Sequence, residues 1–151
     1  MVYRDTFKVR EHMNAAKIIK TIFELHLINI AVDKRTITLA NLYRPPSMNL
    51  NIFLDELAYF LSATVDSLAM NRMLLCGNFN CPGTNGNTVD VSLCSLLDTH
   101  GLEQHVDEAT RSASSCSNLL HLIITVASST LLYEVVNCAR ISDHLLIGCK
   151  L

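Results

Sequence analysis

The stretch Met73–Gly83, MLLCGNFNCPG, contains a short apolar run that changes abruptly into a polar loop. Its first four residues are continuously apolar, as in a strand that is buried on both faces of a sheet. Two carboxamide residues, Asn78 and Asn80, follow one residue apart, ahead of a Pro-Gly turn. This stretch therefore predicts a central strand that ends in a candidate functional loop.

Two further strands are predicted upstream of it. Residues 21–30 and 36–42 alternate apolar and polar side chains, and the polar residues 32–35 between them predict an antiparallel hairpin. Pairing must stop at the two prolines that follow Tyr43 and Arg44, because proline has no backbone N–H to donate. Residues 2–4 also read as strand sequence, so we expect the domain to lack a segment upstream.

Two helices are predicted around the central strand. Apolar side chains recur at three- and four-residue spacing through residues 53–65, and Asn49 or Asn51 is a suitable cap for that helix. Asn87 is the predicted cap of the second helix, with Asp90 in a capping-box position.

The last third of the chain predicts strands again. Short apolar runs occupy residues 120–126, 131–136 and 145–149, with polar links between them. Strands and helices that do not alternate strictly favour an α/β sandwich, in which two sheets pack face to face with helices outside. We expect a single domain spanning residues 1–151.

Composition narrows the classes of function. The chain has 151 residues, is 50% hydrophobic and has a net charge of −2, so it lacks the overall positive field of a nucleic-acid binding module. No apolar stretch is long enough to span a bilayer, and we expect no membrane association. The six cysteines show no metal-site or disulfide pattern and predict buried, reduced thiols. An intracellular location, nuclear or cytoplasmic, is therefore expected for a protein that is not secreted.

Three motifs occur in order, each at a predicted strand terminus: LYRPP at residues 42–46, GNFN at residues 77–80 and ISDH at residues 141–144. In this order they resemble the endonuclease/exonuclease/phosphatase family, the fold family of deoxyribonuclease I. The resemblance is closest to the endonuclease domain of LINE-type (non-long-terminal-repeat) retrotransposons, through segments such as TITLANLYRPP, LLCGNFNCPG and ISDHLLIGCKL. It covers essentially the whole chain.

The resemblance implies a fold and a reaction. The fold is a four-layer sandwich of two mixed β-sheets with helices outside, here missing its first strands. The reaction is the hydrolytic nicking of DNA phosphodiesters with Mg²⁺ as the cofactor and DNA as the partner. No small-molecule cofactor is implied, and the oligomeric state is not predicted.

The resemblance also implies roles for individual residues. Tyr43 and His144 would contact the phosphate, Asn80 would bind it, and Asp143 would lie near the metal. Position 78 would carry the aspartate that handles the attacking water. This chain has Asn78 instead, and an amide can neither accept a proton from water nor neutralise a cation.

The residue expected to orient His144 is altered as well. Neighbouring residues on a strand point to opposite faces, so Asp143 is a poor partner for His144 if position 143 is extended. The orienting carboxylate would then come from the strand at residues 120–126, where the aligned position is His121. The partner of His144 is then neutral or cationic, and a cation there would depress the pKa of His144 instead of stabilising its cationic form.

We therefore expect a degenerate endonuclease domain with little or no activity. The alternatives are a weak Mg²⁺-dependent phosphodiesterase and a non-catalytic module that contacts DNA through Arg44 and Arg111, or binds another protein. Structural roles also remain open: Tyr43 as a packing residue, Asn80 as a turn residue, His121 as a neutral substitution or a metal ligand, and Asp143–His144 as a strand cap.

Overall fold

The computed structural model describes residues 8–11, 22–32, 35–65, 72–113, 116–132 and 134–151. Within these ranges the chain forms ten strands and two helices. In chain order they are β1 (Lys8–Glu11), β2 (Glu24–Val32), β3 (Arg35–Tyr43), α1 (Leu50–Val65), β4 (Met73–Asn78), α2 (Val91–Thr99), β5 (Leu102–Gln104), β6 (Arg111–Ala113), β7 (Cys116–Asn118), β8 (His121–Val126), β9 (Glu134–Ile141) and β10 (His144–Lys150).

The larger sheet has six strands in the order β1-β2-β3-β4-β8-β5. β2 and β3 pair antiparallel from Glu24 opposite Tyr43 to Val32 opposite Arg35, which confirms the predicted hairpin. β3 and β4 pair in parallel, and β8 pairs antiparallel with β4 on its other side. The predicted central strand therefore lies in the interior of a mixed sheet, as its continuous apolar run indicates.

The smaller sheet has four strands in the order β7-β6-β10-β9 and is antiparallel throughout. It faces the larger sheet across a cavity that is lined by side chains of both. The predicted architecture, two sheets packed face to face with helices outside, is confirmed.

Both helices cover the outer face of the larger sheet. The side chains of α1 that point to this face are fully buried, and Phe53 packs edge-on between Phe23 and Phe79, at ring-centroid distances of 5.4 and 6.4 Å. Leu93 and Leu97 of α2 belong to the same core. Side chains alternate along β4, so Met73 and Leu75 point into this core, whereas Leu74 and Cys76 point toward the smaller sheet and line the cavity.

The helix starts partly match the prediction. Asn49 Oδ1 accepts hydrogen bonds from the N–H groups of Asn51 and Ile52, so Asn49 is the cap of α1. The predicted cap of α2, Asn87, is wrong, because Asp90 accepts from the Ser92 N–H and the helix begins at residue 91. The chain is still extended just before Asp90, where Val89 pairs with Pro82 in a short antiparallel bridge.

One predicted strand is displaced. The run at residues 131–136 was expected to form a strand, but β9 begins at Glu134 because the Ser129 hydroxyl accepts from the Leu131 N–H and holds a turn there. The strand expected at residues 2–4 lies outside the described residues.

The cysteine prediction holds in part. Five thiols in the described residues are free, but Cys94 and Cys116 are exposed, so the expectation that the thiols are buried is wrong for these two. In the part of the chain that the structure describes, no helix is long and apolar enough to cross a bilayer.

Candidate active site

Three predicted site residues lie side by side across the larger sheet. Tyr43, the last residue of β3, is paired in register with Asn78, the last residue of β4. Asn78 is in turn paired with His121, the first residue of β8. Because the three positions share one row, the ends of three adjacent strands present a phenol, a carboxamide and an imidazole together.

This row lies at the polar end of the cavity between the sheets, which has a volume of about 760 Å³. Asn78, His121 and His144 line the cavity, and most of its other lining residues are apolar. Tyr43 is 41% exposed beside them, whereas Asn80 and Asp143 are not among the lining residues. Cys76 also lines the cavity, and burial raises its pKa to about 12. Its thiol is therefore uncharged at neutral pH.

Gly77 makes the close strand packing at this row possible. Its φ is +137°, and a Cβ at this position would lie 1.9 Å from the carbonyl oxygen of Leu42 on the neighbouring strand. A side chain there would separate β3 from β4 and so move Tyr43 away from Asn78.

His121 and His144 meet across the two sheets. The Nδ1 atom of His144 lies 3.3 Å from the Nε2 atom of His121, and the rings are inclined by 22° with centroids 5.1 Å apart. The strand at residues 120–126 therefore supplies the partner of His144 from the opposite sheet, not from an adjacent strand of the same sheet. Burial lowers the pKa of His121, as does the charge of His144, while a hydrogen bond to the backbone of Leu145 acts in the opposite direction.

The GNFN loop is held by its own side chains. Phe79 anchors the loop in the core, and Asn78 Oδ1 accepts from the Asn80 N–H at 3.2 Å. Asn80 has a φ of +49° and donates through Nδ2 to the carbonyl oxygen of Arg44 at 2.5 Å. Asn80 is thus a turn residue of left-handed conformation, as one sequence interpretation allowed, and its amide is engaged within the protein.

Arg44 has a structural role. Its side chain is 4% exposed, lies over the ring of Phe53 and donates to the carbonyl oxygens of Asn80, at 2.8 Å, and Met48. The sequence interpretation of Arg44 as a DNA contact is therefore wrong, because its guanidinium group is buried between the LYRPP and GNFN segments.

Asp143 lies in a two-residue turn, so the condition of an extended position 143, under which it would be a poor partner for His144, is not met. Ser142, with φ of +61°, turns the chain so that Asp143 Oδ1 comes within 3.8 Å of His144 Nε2. Its Oδ2 accepts from Arg111 Nε at 2.8 Å, and this hydrogen bond is the main reason that the pKa of Asp143 is lowered. Arg111, named above as a DNA contact of a non-catalytic module, is therefore the ion-pair partner of Asp143.

Thr110 positions the histidine pair and was missed in the sequence. It is fully buried between the sheets, and its hydroxyl oxygen accepts from the N–H groups of Leu120 and His121 at 3.0 and 2.9 Å. Its own carbonyl oxygen accepts from the Leu145 N–H at 2.8 Å. One residue thus fixes the backbone beside both imidazoles, and a lone threonine in a loop gives no sequence signal of that role.

The described residues do not fit a magnesium ion. Mg²⁺ prefers six oxygen ligands at octahedral positions, usually with one or two carboxylates among them. No three His, Cys, Asp or Glu side chains within the described ranges lie close enough to share a metal. Asp143, the predicted metal ligand, holds Arg111 with one oxygen and accepts from the Ser142 hydroxyl with the other.

Comparison with known proteins gives similarity in structure only. No protein-family model and no curated protein sequence matches the chain. The endonuclease domain of TRAS1, a telomere-specific non-LTR retrotransposon, superposes with a TM-score of 0.71 at 16% identity over 97% of this chain and 67% of that domain. The fold is that of the deoxyribonuclease I-like proteins.

Two other structures agree with this fold. TDP2 from D. rerio, complexed with a single-strand DNA product, has a TM-score of 0.55 at 8% identity. The match covers 66% of the TDP2 chain. A mannosyl-6-phosphatase from Bacteroides thetaiotaomicron has a TM-score of 0.54 at 12% identity, and the match covers 55% of the phosphatase chain. The chain thus spans about half to two thirds of the length of these deoxyribonuclease I-like structures.

Proposed function

We propose that this chain is a degenerate endonuclease domain of the LINE retrotransposon type. Its ancestral reaction is the metal-dependent hydrolytic nicking of DNA, and the chain itself has little or no activity. We further propose that residues 1–151 form a partial domain and that the protein is intracellular, in the nucleus or cytoplasm. The similarity of fold to a retrotransposon endonuclease supports the ancestry.

One observation carries the proposal of lost activity. Asn78 occupies the middle of the row between Tyr43 and His121 and lines the cavity, where a base for the attacking water would be placed. Its Oδ1 accepts from a backbone N–H, which a carboxylate oxygen would also do. The substitution thus preserves the loop and removes the proton acceptor, since an amide is not a base at neutral pH.

The pairing of His121 with His144 supports the same conclusion. Catalysis at a phosphodiester needs a group that stabilises charge as it develops and that moves protons at defined atoms. A carboxylate at position 121 would hold and orient the His144 ring. An imidazole at that position carries no negative charge, so it cannot stabilise positive charge on the His144 ring that it contacts.

The experiment restores the two carboxylates. Asn78→Asp and His121→Asp are introduced singly and together, and nicking of supercoiled plasmid is measured with Mg²⁺ or Mn²⁺. The double variant is expected to nick well above the unaltered chain, because the residues of a cooperative site act together. The double variant carrying His144→Ala as well is the matched control and should not nick.

The other outcomes separate the alternatives. Nicking by the unaltered chain above its His144→Ala variant would instead establish a weak metal-dependent phosphodiesterase. Silence of the double variant would contradict the claim that positions 78 and 121 account for the loss. DNA binding through Arg44 and Arg111 is disfavoured, since Arg44 is buried and Arg111 is paired with Asp143.

A further inference from the structure

The strand β10 is paired on only one of its two sides over most of its length. β9 pairs with all of β10, from His144 to Lys150, whereas β6 pairs with β10 only at Arg111 opposite His144. Within the described ranges, no other strand lies beside the rest of β10. The smaller sheet therefore has an open edge along β10, on the side where β6 leaves it.

The backbone groups on this open side can be identified. The Leu145 N–H points to the β6 side, because it donates to the carbonyl oxygen of Thr110 at 2.8 Å. Successive residues of a strand direct their N–H and C=O groups to opposite sides, so the groups of Ile147 and Cys149 point the same way as those of Leu145. In the part of the chain that the structure describes, no strand pairs with them there. A row of open N–H and C=O groups is a template for another strand.

The cavity between the sheets extends under this edge, since Ile147 and Cys149 line it. The larger sheet supplies lining residues from four strands, β2, β3, β4 and β8. Among the described residues, β10 is the only strand of the smaller sheet that does so. Protein interiors contain few voids larger than a water molecule, so a cavity of about 760 Å³ is room for further side chains.

We propose that the open side of β10 accepts an extended segment of another polypeptide chain as an added strand. Such a segment matches both features of the site, because its main chain pairs with Ile147 and Cys149 while alternate side chains enter the cavity. No Asp, Glu, Lys or Arg is among the described lining residues, and most of them are apolar, so the inward side chains of the segment are apolar. A lipid would fill the cavity and leave the backbone groups unpaired.

The added segment is short. The open part of β10 runs from Leu146 to Lys150 and, at roughly 3.4 Å per residue, pairs with a strand of about five residues. Leu146 and Leu151 line the cavity and are 50% and 55% exposed, so both ends of this edge present apolar surface. The TRAS1 domain is matched over 67% of its length, so a longer domain of this fold contains polypeptide that has no counterpart here. The inference rests on the fold and not on the proposed loss of nuclease activity.

The first experiment supplies the strand in tethered form. The whole chain is extended after Leu151 by an Asn-Gly turn and a strand of alternating valine and charged residues, beginning with valine, so that it can fold back along β10. Hydrogen exchange of the Ile147 and Cys149 amides should slow at least ~10-fold, whereas the amides of Leu146 and Gly148, which face β9, should change little. The control extension shifts the valines by one position, which turns them away from the cavity, and should give no such protection.

Cys149→Pro is a second control in the extended chain. Proline at this position removes an N–H from the open side and leaves the N–H groups toward β9 in place, so the variant should fold and the Ile147 amide should lose its protection. Equal protection by the strand with shifted valines, or no protection by either extension, would overturn the proposal.

The second experiment measures whether a second copy of the chain occupies the site. Sedimentation and hydrogen exchange are measured on the unextended chain. We expect a monomer in which the Ile147 and Cys149 amides exchange faster than those of Leu146 and Gly148. A dimer with protected Ile147 and Cys149 amides would assign the site to a second copy and contradict a separate partner. Neither readout depends on nuclease activity, so this site and the proposed function can fail independently.

Discussion

His144 Nδ1 lies 3.3 Å from His121 Nε2, and the strands that carry these two rings belong to different sheets. The contact therefore joins the two layers of the sandwich at the polar end of the cavity. Because two imidazoles in contact disfavour a second positive charge, the pair makes the site sensitive to protonation.

Replacing His144 tests the electrostatic part of this contact. His144→Gln keeps a polar side chain and removes the neighbouring charge, so the pKa of His121 should rise toward its ordinary value while remaining lowered by burial. The measurement is an NMR titration of the His121 ring. His105→Gln is the control, because His105 contacts Thr125 instead and should leave the titration unchanged. A lower pKa of His121 in the His144→Gln variant would contradict this account.

Stability should fall on mild acidification. The folded protein holds the pKa of His121 below its usual 6.5, so below about pH 6.5 the unfolded chain binds more protons than the folded one. The free energy of unfolding therefore decreases as the pH falls from about 7.5 to about 5.5, a window above the titration of Asp143. Urea unfolding at both pH values measures the change. His121→Asn should reduce the decrease, and an equal decrease in that variant would assign it to other groups.

The Arg111–Asp143 ion pair should control the titration of the carboxylate. Arg111→Gln removes the hydrogen bond that chiefly lowers the pKa of Asp143, so this pKa should rise toward 3.8. A ¹³C NMR titration of the carboxyl carbon follows it directly. Arg140→Gln is a matched control, since Arg140 reaches Ser112 on the same sheet. Equal shifts in both variants would show that general surface charge, and not the specific pair, is responsible.

Thr110 should matter for stability more than its place in a loop indicates. Thr110→Val retains the shape and leaves the buried N–H groups of Leu120 and His121 without an acceptor, at a cost of about 1–3 kcal/mol. Urea unfolding measures this loss. Thr110→Ser keeps the hydroxyl and should lose less. If the valine and serine variants are destabilised equally, packing of the methyl group, and not hydrogen bonding, is the important contribution.

Elements with a long, regular pattern could be predicted from the sequence. The hairpin of β2 and β3 and the helix α1 each repeat their period several times, and β4 is marked by its continuous apolar run. The three-residue strands β5, β6 and β7 are too short to show any period and were not predicted.

The candidate site also has parts that could be predicted from the sequence and parts that could not. Asn78 and His144 were identified because they stand at strand ends within motifs, and the structure brings both to one cavity. The ion pair of Arg111 with Asp143 joins residues 32 positions apart, and its existence depends on the turn at Ser142, which was not predicted. Such contacts depend on tertiary placement and leave no local pattern.

The most direct test of the central claim compares nicking of supercoiled DNA by the unaltered chain and by its His144→Ala variant, prepared identically and assayed with Mg²⁺ or Mn²⁺. We expect the two proteins to show the same background, because Asn78 cannot act as the base. Metal-dependent nicking by the unaltered chain that disappears in the His144→Ala variant would contradict the claim that the site has lost its activity.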